Sequence, residues 1–136
     1  MASIKSINDF NTRKSLQEPI SVITCYDHAF ARIIEQTEID VILVGDSLGN
    51  VIAGFDSTVP VTMDQMVYHS KIVRKGAPSK FIIADMPFMS YHISIEESVQ
   101  NAGRLMKETG SNAVKLEGGE HFIPVVDKMV KSSIPV

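Results

Sequence analysis

The chain has 136 residues, a net charge of −3, 44% apolar and 21% charged residues, which is the balance of a packed globule and excludes wholesale disorder. There is no basic patch of the size nucleic-acid binders use, and the apolar runs are too short to cross a bilayer. Met1-Ala2-Ser3 leads into a mixed polar segment rather than a secretory signal, and the single cysteine, Cys25, excludes an internal disulfide framework and argues against a cysteine-rich zinc site. The expectation is a cytoplasmic protein with neither nucleic-acid nor membrane partners.

In chain order, residues 4–16 read as a first helix, and Ile20 to Thr24 as a short apolar strand. Asp27 is placed to cap a helix that runs through Ile34 and ends near Thr37. Val41 to Val44 is a second strand. A long non-regular stretch follows, from Gly45 to Val61; loops of that length in compact domains are usually functional. Thr62-Met63-Asp64-Gln65 has capping-box spacing ahead of Met66, Val67 and Ile72, and Gly76 with Pro78 supplies a stop. Phe81 to Ala84 is a third strand. Ser94-Ile95-Glu96-Glu97 is another capping box, before Val99, Ala102, Leu105 and Met106, and Gly110 ends that helix. Asn112 to Leu116 is a fourth strand. After the Gly118-Gly119 turn, Ile123, Val126, Met129 and Val130 form a helical stripe. Ser133 to Val136 reads as the opening of a fifth strand.

Alternating strands and helices imply a parallel sheet with right-handed crossovers, and continuous apolar strands imply burial on both faces. In such folds ligands bind beyond the carboxyl ends of the strands. Each run delivers an acid there: Asp27, Asp46, Asp85 and Glu117. Carboxylates gathered on one rim repel unless a cation joins them. Magnesium suits that role, because it takes one or two carboxylates plus waters and substrate oxygens. Lys115 beside them can grip a substrate carboxylate as a point charge.

Each residue also has a plainer reading. Asp46 can close an Asx-turn, Asp85 can be an ordinary strand-end residue, Asp27 a helix cap, and Lys115 with Glu117 a surface ion pair. Cys25 reads as a small core residue, and His28, His69, His92 and His121 show no metal-ligand spacing. It is the joint pattern that favours a site.

The chain resembles the ketopantoate hydroxymethyltransferase family. The resemblance is carried in order by D-V-I-L-V-G-D-S-L-G (Asp40–Gly49), D-S-T-V-P-V-T (Asp56–Thr62), R-K-G-A-P (Arg74–Pro78), A-D-M-P-F-M-S-Y (Ala84–Tyr91), N-A-G-R-L-M-K (Asn101–Lys107) and V-K-L-E-G-G (Val114–Gly119). It implies a (β/α)8 TIM barrel, homo-oligomeric, that transfers a hydroxymethyl group from 5,10-methylenetetrahydrofolate to 3-methyl-2-oxobutanoate. By motif, Asp46, Asp85 and Glu117 match the family's Mg²⁺-site acids. Asp46, Ser47, Asp85 and Lys115 match its keto-acid contacts.

A barrel of this type typically needs about 250 residues. The expectation is therefore that residues 1–136 form a single partial domain, the first half of a barrel, ending at the start of the fifth strand. The family's general base is a glutamate of the second half, so no catalytic base is expected among these residues, and the isolated half is expected to be inactive. Three other readings stand beside this one. One stays in the barrel class, a Mg²⁺-dependent keto-acid lyase or mutase also built on acidic strand ends, against which the ordered blocks argue. A strand followed by G-D-S-L also occurs in esterases that use the serine as nucleophile, which would make Ser47 catalytic. The chain can also be a non-catalytic half-barrel.

Overall fold

In the computed structural model, which describes residues 3–136, each of the first four apolar runs becomes one strand of a single parallel sheet. The strands are β1 (Val22–Thr24), β2 (Val41–Val44), β3 (Phe81–Asp85) and β4 (Ala113–Lys115), in spatial order β1-β2-β3-β4. Six α-helices accompany them: α1 (Ile7–Ser15), α2 (His28–Glu35), α3 (Leu48–Val51), α4 (Met63–Gly76), α5 (Ile95–Thr109) and α6 (Ile123–Lys131), with a 3₁₀ turn over Glu120–Phe122. Helices α2, α4, α5 and α6 pack side by side along one face of the sheet. This is one half of a (β/α)8 barrel.

The caps follow the chemistry of the sequence. The Asp27 carboxylate accepts the Phe30 N–H at 2.9 Å and starts α2. Thr62 and Gln65 complete both halves of a capping box at the head of α4: Gln65 N–H donates to Thr62 Oγ1 at 3.2 Å, and Thr62 N–H to Gln65 Oε1 at 2.8 Å. Ser94 makes the forward half of its box, accepting the Glu97 N–H at 3.1 Å. Each such cap contributes about 1 kcal/mol to its helix.

Strand register sorts the side chains. Ile42 pairs with Ile82, Val44 with Ala84 and Ala84 with Val114. These residues lie in one buried cluster with Ala31, Met66, Val73, Leu105 and Met129 from the helices. Val41, Phe81 and Ala113 belong to a second cluster with Ile4, packed against Phe10. There α1 closes the N-terminal end of the strands, and the Phe10 and Phe81 rings meet edge to face at 5.1 Å. A buried ion pair pins that end: Arg13 Nη2 donates to Asp40 Oδ1 at 2.8 Å, and the N–H and hydroxyl of Ser21 both donate to Asp40 Oδ2 at 2.9 Å.

Four expectations change. The first strand is exposed along its whole length rather than buried on both faces, because β1 is an edge strand paired only with β2. The fifth apolar run is not a strand; it lies beside β4 through one bond, Val114 N–H to Pro135 O at 3.0 Å, and Pro135 has no N–H with which to extend a ladder. The first helix starts at Ile7 rather than residue 4, where the Ser6 N–H turns back onto Asp9 Oδ2 at 2.7 Å. The long stretch after β2 also contains the single turn α3.

Candidate active site

Asp85 is the last residue of β3 and Lys115 the last of β4, and the ladder pairs them directly. Neighbours in register on a parallel sheet project to the same side. Lys115 Nζ donates to Asp85 Oδ1 at 3.0 Å, while Asp85 Oδ2 accepts the backbone N–H of Asp46 at 3.1 Å. Both oxygens of a carboxylate only 5% exposed are thus engaged. Burial raises the proton affinity of Asp85, the Lys115 ammonium opposes that rise, and the nearby Asp46 carboxylate adds to it. Lys115 also holds its proton more tightly than usual: its burial works against the charge, but bonding to Asp85 and then to Glu117 outweighs it.

Glu117 lies two residues beyond Lys115. Its exposed carboxylate accepts from Lys115 Nζ at 3.1 Å, and its N–H donates to the Tyr91 hydroxyl at 3.2 Å. Asp46 and Ser47 stand on the turn after β2. The Ser47 hydroxyl is 2.9 Å from the Tyr26 hydroxyl. Gly45 makes this crowding possible, since a Cβ there would come within 2.6 Å of Ser47 Oγ and 3.4 Å of Asp85 Oδ2. Gly118 is equally constrained: its φ is +145°, and a Cβ would meet the Phe122 ring at 2.1 Å.

The structure therefore brings Asp46, Ser47, Asp85, Lys115 and Glu117 to the carboxyl ends of adjacent strands. It does not gather Asp46, Asp85 and Glu117 into one three-carboxylate cluster: among the described residues no group of three His, Cys, Asp or Glu side chains is arranged to hold a metal ion. The reason is Lys115, whose ammonium lies against both Asp85 and Glu117. The donor set still fits magnesium in a narrower form. Asp85 is buried and electrostatically stressed by Asp46, both are hard oxygen donors, and one or two carboxylates are what magnesium ordinarily takes from protein.

The other candidates are where the plainer readings put them. Asp27 is a helix cap. Cys25 is buried at 2% exposure, and burial raises its thiol above the usual range. His28, His92 and His121 are exposed. The Ser47 hydroxyl bonds to a phenol rather than to an imidazole, which removes the geometric basis for a serine nucleophile activated by histidine. Three residues of the site escape the sequence reading: Tyr26, Tyr91 and His69, whose Nδ1 lies 2.6 Å from Tyr26 O. Tyr26 had a usable signal, for it directly follows the first strand at the same rim as the acids. Tyr91 and His69 had none, being placed by tertiary packing.

Comparison with known proteins supplies the context. The profile of the family described as ketopantoate hydroxymethyltransferase matches residues 5–136. A 3-methyl-2-oxobutanoate hydroxymethyltransferase from Geobacillus thermodenitrificans is 50% identical over 133 residues, 98% of this chain and 48% of its own length. Proteins of the same description from Leptospira interrogans and Pseudothermotoga lettingae are 56% and 52% identical, covering 93% and 96% of this chain and 48% and 49% of theirs. The chain thus spans about half the length of the curated relatives it matches. Among solved structures, a 2,3-dimethylmalate lyase of the PEP mutase/isocitrate lyase superfamily superposes with a TM-score of 0.66 at 14% identity, over 94% of this chain and 47% of that one. That likeness is one of fold. No helix among the described residues is long and apolar enough to cross a membrane.

Proposed function

The chain belongs to the ketopantoate hydroxymethyltransferase family, and on that premise we propose that its strand-end site binds an α-keto acid together with Mg²⁺. The reaction it serves is transfer of a hydroxymethyl group from 5,10-methylenetetrahydrofolate to 3-methyl-2-oxobutanoate, giving 2-dehydropantoate for pantothenate synthesis. The observation that carries this reading is the juxtaposition of Asp85, Asp46 and Lys115, with Ser47 on the same turn as Asp46.

Asp46 and Asp85 are the residues that would hold the ion; Glu117 is linked to Asp85 through their shared lysine. Magnesium, when bound, acts as a Lewis acid on the keto acid's oxygens and makes the C3 proton easier to remove. The chain's own residues then have distinct tasks. Lys115 receives the substrate carboxylate once its hold on Asp85 is relaxed. Ser47 donates its hydroxyl proton to a substrate oxygen. The burial of Asp85 keeps water from weakening these interactions.

The C3 proton needs a base within hydrogen-bond reach. We assign it to none of these side chains: Asp46 and Asp85 are reserved for the ion, and Glu117 is turned to Lys115. In the family that base is a glutamate of the second half of the barrel. The 136-residue chain is therefore expected to bind the keto acid without activating it.

Calorimetric titration of 3-methyl-2-oxobutanoate into the chain, with and without Mg²⁺, tests the reading, alongside exchange of the C3 proton in heavy water. Binding that requires Mg²⁺ and leaves C3 unexchanged is expected. Keto-acid binding that ignores Mg²⁺, or no binding in its presence, would sink it.

A further inference from the structure

We propose that Tyr26 is a positioning residue for the Ser47 hydroxyl, fixing and polarising it for one oxygen of the bound keto acid; this rests on the keto-acid reading above. Three separate features build the arrangement. The Tyr26 phenol reaches across the mouth of β2 to within 2.9 Å of Ser47 Oγ. The backbone of Tyr26 is itself held: its carbonyl lies 2.6 Å from Nδ1 of His69 on α4. A carbonyl only accepts, so Nδ1 carries the proton in that bond. Gly45 leaves open the space that Ser47 Oγ occupies, because any Cβ there would approach it to 2.6 Å. A serine left free would choose among rotamers. Here the absent Gly45 side chain admits the rotamer and the tethered phenol holds it.

The direction of the hydrogen bond follows from counting protons. A serine hydroxyl has a single proton. Once it is given to a ligand oxygen, the contact with Tyr26 persists only if the phenol donates. Donation into Ser47 Oγ makes the serine proton a better donor in turn, since chained hydrogen bonds polarise one another. Tyr26 need not touch the ligand to act, and its hydroxyl is hydrogen-bonded to Ser47 rather than to Asp46, Asp85 or Lys115. Its effect should fall on the keto acid and leave the metal alone.

The test is a double-mutant cycle on the 136-residue chain, with Tyr26→Phe, Ser47→Ala and the double variant, read by calorimetry with Mg²⁺ and then with 3-methyl-2-oxobutanoate. Tyr26→Phe keeps the ring and its packing, and circular dichroism confirms the fold. Loss of one hydrogen bond of this kind is expected to weaken keto-acid binding about 3- to 10-fold. Mg²⁺ affinity should be unchanged, and adding Tyr26→Phe to Ser47→Ala should cause no further loss. Unchanged keto-acid affinity in Tyr26→Phe overturns the proposal, and so does a loss of the same size in the Ser47→Ala background. If the wild-type chain binds Mg²⁺ but no keto acid, the underlying reading fails first and the proposal falls with it.

Discussion

Asp85 and Lys115 are partners twice over: they face each other at the last rung of the β3–β4 ladder, and their side chains form an ion pair at 3.0 Å. The ammonium therefore sits where a divalent ion would also be drawn. On the proposed reading, a metal ion and the lysine would compete for one buried carboxylate. Lys115→Ala should then have opposite effects on two ligands: keto-acid affinity falls by more than about tenfold, while Mg²⁺ affinity rises. Parallel calorimetric titrations separate the two. A variant that binds Mg²⁺ less tightly than wild type would contradict the competition.

Removing the acids should act on both ligands together. Asp46→Ala and Asp85→Ala are each expected to weaken Mg²⁺ by at least about tenfold, and keto-acid binding with it. Unchanged Mg²⁺ affinity in either variant would remove that residue from the metal set.

Asp85 carries a stability consequence of definite sign. Its proton affinity is raised in the fold, above all by burial, so the folded state binds that proton more tightly than the unfolded chain does. This group's ionised form opposes folding, and its contribution becomes more favourable as pH falls through the folded pKa. Asp85→Asn mimics the protonated form. It should melt no lower than wild type near neutral pH while losing Mg²⁺ affinity, an exchange of stability for function. A clear drop in the melting temperature would show that the Lys115 pair outweighs the cost of burial.

Asp40 has the opposite sign. Burial works against its charge, but the bonds from Ser21 and the charges of Arg13 and Lys80 outweigh it, and its pKa is lowered. Its stabilisation is present above the unfolded pKa and is lost as pH falls through the lower folded value. Asp40→Asn removes one carboxylate partner of the buried Arg13, which keeps Glu18 at 3.4 Å, and a cost of about 1–3 kcal/mol is expected. Denaturant melts at neutral and acidic pH check this: the wild type should converge on the variant as acid removes the charge.

How far the sequence reveals all this depends on the range of each interaction. The caps at Asp27 and Thr62 are legible because their partners stand three residues away. The strands are legible because Val41–Val44 and Phe81–Asp85 have no polar interruption before their ends, so the acids beyond them are legible too. The Asp85–Lys115 contact spans 30 residues and exists only in one register, which continuous apolar strands without alternation specify weakly. The exposure of β1 is hidden for the same reason: composition tells which residues are apolar, not how many neighbours a strand finds. Tyr26 and Ser47, 21 residues apart, meet only because β1 and β2 are adjacent.

The open flank of β1 carries an expectation for the chain in solution. Val22 and Ile23 are 54% and 40% exposed, and Phe30 and Ile33 on the adjoining helix are 64% and 62% exposed. One rail of backbone amides and carbonyls therefore runs beside an oily strip, a template onto which another extended chain can add. Light scattering should show self-association that grows with protein concentration, and a lysine introduced at Val22 should suppress it. Ligand titrations are best performed dilute, since a chain that sticks to itself at its first strand removes Tyr26, three residues beyond Ile23, from measurement.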